Sequence, residues 1–417
     1  MECHPAGCAR WRLHLEPGWE VAGGGDGYVG LVRRPVRPVT HPDDQPGALW
    51  LRVLDAETGA QRWQAPLDGA WFDGVSLGTS IEVVFASDLA IVAVGPTIVA
   101  MLADGTTVWE STIPDGDLLR LESVGAAIVV TVGDPREPSS GRHVALDRDS
   151  GDTVFEVEGH PHALLDDQAL MVAVPDGPGM LIRRLGLADG SVLWERAAEG
   201  WSSFPRAAFV TLGPTIRVVP LIGGGVGGGD LLVDRRTGED LIDVGGVVAG
   251  GVSLTTGSTV ILVDTAPSSV TGTRRFHADW FSSGAPQQLE LLIIDPDGQP
   301  AQRGSLDEPL AGHVRLAADG NLVTVIHETG AAVTFEMTTG TEQPTPTGLL
   351  GEPRSYTWSD PTGRQITRTP DTILVETEDA AVRVTGRALR IVHDAPTVIQ
   401  QEGRLLGLDP VTAPPTD

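Results

Sequence analysis

The sequence has no lysine at all, so all 29 basic residues are arginine, and Asn321 is the only asparagine. Lysine and asparagine share AT-rich codons, and their joint scarcity reads as the mark of a GC-rich genome rather than of surface chemistry. Against those 29 stand 56 acidic residues, a net charge of -27. A phosphate-binding surface needs basic clusters, so no nucleic-acid partner is expected. Cysteine is confined to Cys3 and Cys8. That pair lacks zinc-finger spacing and a second half-site, and a disulfide between them would tie only the first few residues. No apolar window of 18 residues occurs, which leaves no transmembrane helix in the chain as given. Pro5 stands before Ala6-Gly7-Cys8 where an aliphatic residue is wanted, and no apolar stretch precedes it, so no signal peptide is read there. Amphipathic helical runs are equally scarce.

What is present is turn chemistry. Gly 52 and Pro 31 occur without a Gly-X-Y period, in a chain that is 41% hydrophobic and therefore globular. The expected class is all-β. The organising stretch is Leu49-Trp-Leu-Arg-Val-Leu54 followed by Asp55-Ala-Glu-Thr-Gly59 and Gln61-Arg-Trp63. The alternation reads as a half-buried strand. Asp55 ends it by accepting hydrogen bonds from backbone N–H groups ahead, and Gly59 supplies the left-handed conformation of a tight turn. Degraded copies surround Gly105 with Trp109, Asp147 with Gly151, Gly190 with Trp194, Asp234 with Gly238, then Gly298 and Gly340. Their spacings are 46, 46, 39, 48, 60 and 42, a mean of about 47. That is the length of one four-stranded propeller blade.

An eighth copy is divided between the chain ends. Arg404-Leu-Leu-Gly-Leu-Asp409 runs into a turn Asp. Trp11-Arg-Leu-His-Leu-Glu-Pro-Gly-Trp19 matches the segments just after the turn in other copies, Trp63 to Trp71 and Trp194 to Trp201. The expectation is a single β-propeller of four-stranded blades over residues 10–411, eight in number with seven as the alternative. The N-terminal strand would pair with the C-terminal strands and close the ring, removing exposed sheet edges. Residues 1–9 are expected to be disordered and 412–417 to form a polar tail.

On Leu54-Asp-Ala-Glu-Thr-Gly59 with Trp63, and on the copies ending at Trp109 and Trp194, the repeat resembles the PQQ-like (quinoprotein-like) β-propeller superfamily. That superfamily includes quinoprotein alcohol dehydrogenases and the propeller lipoprotein of the outer-membrane β-barrel assembly machine. The resemblance implies that Trp63, Trp109 and Trp194 dock between blades, with Phe155 taking that place in one copy. It also implies work outside the cytoplasm or at a membrane, through a segment upstream of this chain. The quinoprotein enzymes hold PQQ against a vicinal disulfide, with calcium bound by Glu, Asn and Asp. No adjacent cysteine pair exists here, and Asn321 sits in Ala-Asp-Gly-Asn-Leu, which reads as a turn. A PQQ-dependent dehydrogenase is therefore the alternative reading, and no cofactor or catalytic residue is expected.

Other motifs have bland readings. Gly74-Val-Ser-Leu-Gly78 matches a nucleophile elbow, but no helix follows it. Asp147-Arg-Asp-Ser-Gly-Asp152 with Glu158 imitates a calcium loop, yet Asp152 holds the position that needs glycine, so no metal is expected. His160-Pro161-His162 reads as an exposed loop between blades. Gly223–Gly229 has no lysine and opens no helix, so it is no phosphate loop.

Two intervals are longer than blade turns require, 264–288 and 343–371. The first carries Arg274, Arg275, Phe276, Trp280 and Phe281, and the second Tyr356 and Trp358. Arginine with large aromatics in a long loop is the composition of an interface anchor. The competing reading is that these rings pack each loop onto its own blade. The functional expectation is a non-catalytic, monomeric propeller binding a protein, peptide or glycan through these loops on one shared face.

Overall fold

The computed structural model describes residues 10–33, 49–67, 80–113, 116–134, 141–160, 163–165, 168–176, 179–198, 207–212, 215–220, 231–240, 247–253, 258–264, 275–277, 280–287, 289–295, 297, 299–305, 310–319, 321–327, 332–339, 341–344, 356–359, 365–368, 372–376, 381–385, 390–393, 397–401 and 404–408. Every regular element among them is a strand. Leu49, Leu51 and Val53 are buried while Trp50 and Arg52 between them are half-buried, so one alternating segment serves both faces of a sheet.

After β1 (Trp11–His14) the chain makes a sheet of β2 (Trp19–Gly25), β3 (Tyr28–Arg33), β4 (Leu49–Asp55) and β5 (Gln61–Leu67). The next comprises β6 (Ile81–Ala86), β7 (Leu89–Val94), β8 (Thr97–Met101) and β9 (Thr107–Thr112). Then come β10 (Asp117–Val124), β11 (Ala127–Gly133), β12 (Gly141–Asp147) and β13 (Thr153–Gly159). They are followed by β14 (Leu164–Leu165), β15 (Ala169–Asp176), β16 (Gly179–Gly186) and β17 (Val192–Ala198). Three strands, β18 (Ala207–Leu212), β19 (Thr215–Pro220) and β20 (Leu231–Asp234), form the next sheet, extended by a bridge from Val233 to Asp240.

The meander is then interrupted. Between β21 (Val247–Ser253) with β22 (Thr259–Asp264) and β25 (Leu289–Ile294) with β26 (Pro300–Ser305) lies a hairpin, β23 (Arg275–His277) and β24 (Trp280–Gln287). The hairpin joins the following sheet instead, of β27 (Leu310–Asp319), β28 (Leu322–His327), β29 (Ala332–Glu336) and β30 (Thr341–Gln343), making it six-stranded. A further sheet holds β31 (Tyr356–Ser359), β32 (Gln365–Arg368), β33 (Thr372–Glu376) and β34 (Ala381–Thr385). Last come β35 (Arg390–His393), β36 (Val398–Gln401) and β37 (Arg404–Gly407), completed by β1. The pairing is antiparallel, with Trp11 opposite Gly407 and His14 opposite Arg404. The two ends of the chain share one sheet, as the split eighth copy predicts.

The described residues thus form nine sheets where turn spacing gives eight copies. The additional sheet is β31–β34, inside the stretch whose spacing is irregular. Its last two strands are joined by Thr377-Glu-Asp-Ala380, which has no glycine to mark the turn. These antiparallel sheets, most of them four-stranded, are propeller blades, and the fold is all-β.

The chain divides into two compact units. The first holds Met1–Pro161, Leu187–Gly190 and Ser355–Asp417, and the second His162–Gly186 and Ser191–Arg354. In the first, sheets pack face to face through shared apolar clusters. Leu51, Val53, Val83, Phe85 and Val92 join β2–β5 to β6–β9, and Ile91, Ile98, Ile128, Val130 and Leu146 join that sheet to β10–β13. The first strands β35, β2, β6 and β10 are neighbours in turn. Gly23 is essential to the closest approach: a Cβ there would lie 1.9 Å from the Val83 carbonyl oxygen. In the second unit, Met171, Ile182, Ile216 and Val233 fill one such interface, and Leu262, Leu291, Val323 and Phe335 another.

Candidate functional site

The repeat turn is a closed set of local hydrogen bonds. Asp55 Oδ1 accepts from the Thr58 N–H at 2.7 Å and from its hydroxyl at 2.8 Å, and the Gly59 N–H donates to the Asp55 carbonyl at 2.8 Å. Asp147 receives the Asp149 and Ser150 N–H groups, and Asp234 those of Arg236 and Thr237. Gly59, Gly151 and Gly238 have φ of 69°, 74° and 72°, as expected, and Gly105 and Gly190 are also positive. Burial works against the charge on Asp55, but hydrogen bonds from Thr58 and Arg62 outweigh it and hold the carboxyl below its ordinary value. Asp147 is lowered first by its bond from the Ser150 backbone. The calcium-like stretch is therefore a repeat turn, its Asp147 carboxylate occupied by backbone donors.

Four of these five glycines also lie under a ring, and Gly105 lies against the Ala65 side chain instead. The indole N–H of Trp11 donates to the Ala56 carbonyl at 3.0 Å, that of Trp109 to Arg148 at 2.7 Å, and that of Trp194 to Arg235 at 3.1 Å. A Cβ on Gly59, Gly151 or Gly238 would meet those same rings at 2.4–2.5 Å, and one on Gly190 would meet Phe155 at 2.6 Å. Docking of Trp109, Trp194 and Phe155 follows the expectation. Trp63 departs from it, lying half-buried against the cluster around Leu51 and Val83. The turn ahead of it is a residue shorter, since the Gly105 N–H bonds back three residues to Leu102 rather than four. Trp11, aligned with Trp63 and Trp194 in the sequence, docks on the Gly59 turn in the same way as Trp194 on its own.

The expected aromatic–basic residues fall on strands rather than in loops. Arg275 pairs with Ser282, Phe276 with Phe281, and His277 with Trp280; across β24, Trp280 pairs with Arg315 and Phe281 with Val314. Tyr356 and Trp358 lie on β31, an edge strand, opposite Arg368 and Ile366. Arg274 is outside the described residues, as are Cys3, Cys8, His162, Gly74–Gly78 and Gly223–Gly229. The hairpin belongs to the second compact unit and β31 to the first.

His160 corrects another expectation, since it is buried at 1% exposure rather than exposed in a loop. Its carbonyl accepts from His143 Nε2 at 2.8 Å, so Nδ1 of the neutral ring is left to accept from the Thr131 hydroxyl at 3.0 Å. Burial pushes the His143 imidazole down to about 4. It is a neutral core residue at neutral pH.

One polar cluster was not signalled by any motif. Trp19, 6% exposed, starts β2 opposite Arg33, and the Arg33 and Arg52 guanidinium carbons lie 5.7 and 4.1 Å from its ring centroid. Gln64 Oε1 fixes the Arg52 Nε at 2.9 Å. The only hint in the sequence was the alignment of Trp19 with Trp71 and Trp201.

No group of three potential metal ligands occurs among the described residues, and no helix there is long and apolar enough to cross a membrane. No family model matches the chain, and no curated protein matches it in sequence. Solved structures similar to it include BamB from Moraxella catarrhalis, 13% identical over 96% of this chain and 98% of that one, with TM-score 0.45. Quinohemoprotein alcohol dehydrogenase from Comamonas testosteroni is 14% identical over 98% of this chain and 78% of its own, with TM-score 0.39. Both are β-propeller proteins, the kinds that the repeat resembles, and the likeness is one of fold alone.

Proposed function

We propose that this protein is a non-catalytic propeller scaffold of the cell envelope that binds a protein, peptide or glycan. The observation that supports it most directly is the β23–β24 hairpin. A four-stranded blade needs no such insertion, and this one leaves its own sheet to extend the next. It carries Arg275, Phe276, Trp280 and Phe281 at paired register positions, where cross-strand neighbours share a face. Aromatic and arginine residues dominate binding energy at interfaces. Their partner would be partly apolar and locally negative where it meets Arg275. Tyr356 and Trp358 lie on the edge strand β31.

The test is retention of envelope-fraction proteins, peptides and glycans on the immobilised chain and on a Trp280→Ala variant. The variant should lose at least about 2 kcal/mol of binding at an unchanged melting temperature. Lost folding with unchanged partners would make Trp280 a packing residue and remove the site. A stoichiometric cofactor spectrum after adding PQQ and calcium would replace the scaffold with the dehydrogenase.

A further inference from the structure

We infer that the Trp19 end of the β2–β5 sheet binds a carboxylate carried on an acidic peptide segment. The site begins with the turn Glu16-Pro17-Gly18-Trp19, where the Trp19 N–H closes on the Glu16 carbonyl at 3.1 Å and Gly18 takes φ of 88°. Pro at the second position and Gly at the third fit a type II turn. The turn sets Trp19 inward, at the start of β2, and leaves the Glu16 side chain outside, 65% exposed. Arg52 reaches across β3 to stack on the indole, a contact that holds a cation against an aromatic face.

The cluster is rich in donors and poor in acceptors. The Trp19 Nε1 is buried and has no hydrogen-bond partner, a costly state for a donor. Arg33 makes no ion pair among the described residues and its guanidinium lies over the same ring. Among the described residues Glu16 is the one carboxylate paired with Arg52, and at 3.7 Å it stands beyond hydrogen-bonding reach. Nothing in the scaffold demands this arrangement. The equivalent end row of the neighbouring sheet is Ile81, Val94, Thr97 and Thr112, where this one has Trp19, Arg33, Trp50 and Pro66.

The missing partner is thus an acceptor with negative charge. The planar fork of the Arg33 guanidinium matches the two oxygens of a carboxylate, and the indole N–H adds one further donor. The ligand also displaces Glu16 from Arg52. On a protein of net charge -27, capture of an acidic peptide needs a local site of this kind. The inference is independent of the hairpin, and Trp280→Ala should leave it untouched.

Calorimetric titration at low salt with end-blocked hexaglutamate, hexaglutamine and inorganic phosphate decides the matter. Hexaglutamate should bind and hexaglutamine should not, with phosphate the weaker of the two anions. Arg33→Gln should weaken hexaglutamate by roughly tenfold or more, the worth of a hydrogen bond to a charged group. Glu16→Gln should tighten it several-fold by removing the internal competitor, a gain that a purely structural clamp would not give. If Arg33→Gln does not fold, Arg33→Lys and the exposed Glu16→Gln carry the test. No hexaglutamate binding, or an affinity indifferent to these substitutions, would reduce the cluster to a packing device. Phosphate binding as tightly as the peptide would overturn the peptide assignment.

Discussion

The smallest unit of this fold is one glycine under one ring. Gly59 has φ of 69° and an added Cβ would sit 2.5 Å from the Trp11 indole. Gly59→Val should therefore cost about 1–3 kcal/mol in backbone strain alone, read as a lower urea midpoint, with the displaced ring adding to it. An unchanged midpoint would break the link between turn and ring. His143 makes a pH prediction. Its imidazole titrates near 4 when folded and near 6.5 when free. Between those values the unfolded chain binds the proton and the folded chain does not. Stability is thus full above pH 6.5, falls as pH drops towards 4, and loses on the order of 3 kcal/mol at about 1.4 per unit. His143→Gln should flatten the urea-midpoint profile across that window; a retained slope there would assign it to other groups. Asp55 and Asp147, held below the ordinary carboxyl value, add a loss at still lower pH.

At the scale of elements, what was legible in the sequence was what is local. Asp, Thr or Ser, and Gly within five residues specify a turn wherever they occur, so the blades around Gly59, Gly151 and Gly238 could be read directly. The β31–β34 sheet escaped because its final turn lacks that chemistry. In the β29–β30 turn the acid is Glu336, four residues before Gly340 as Asp55 is before Gly59, its longer side chain reaching the Thr338 and Thr339 N–H groups at 3.1 and 2.8 Å. The β24 strand, Trp280-Phe-Ser-Ser-Gly-Ala-Pro-Gln287, has no apolar alternation and so read as loop. The Trp19–Arg52 stack is set by register across β3, which spacing along the chain does not reveal. The pairing of β1 with β37 was legible, and it makes a prediction. Removing residues 1–17 strips the edge from β37 and lifts the ring from the Gly59 turn. The truncated chain should melt lower and self-associate through the bared edge, as light scattering would show. A monomer of unchanged melting temperature would mean that β1 contributes nothing to the sheet.

For the whole molecule, charge is the property the composition states most directly. At -27 the folded chain concentrates repulsion that the unfolded chain disperses. Raising monovalent salt at neutral pH should raise the melting temperature, since the Debye length shrinks to about 10 Å at 0.1 M. A fall instead would mean that attractive pairs such as Arg10–Glu57 and Arg142–Glu156 outweigh the repulsion.

The shared sheet at the chain ends has a mechanical side. Trp11 faces Gly407, and these are the residues of the β1–β37 ladder closest to either end of the chain. A load pulling the two ends apart enters at that rung and opens the four rungs one after another, like a zip, rather than shearing them together. Resistance is then set by single rungs and by the indole N–H of Trp11 on the Ala56 carbonyl, so this sheet yields at low force.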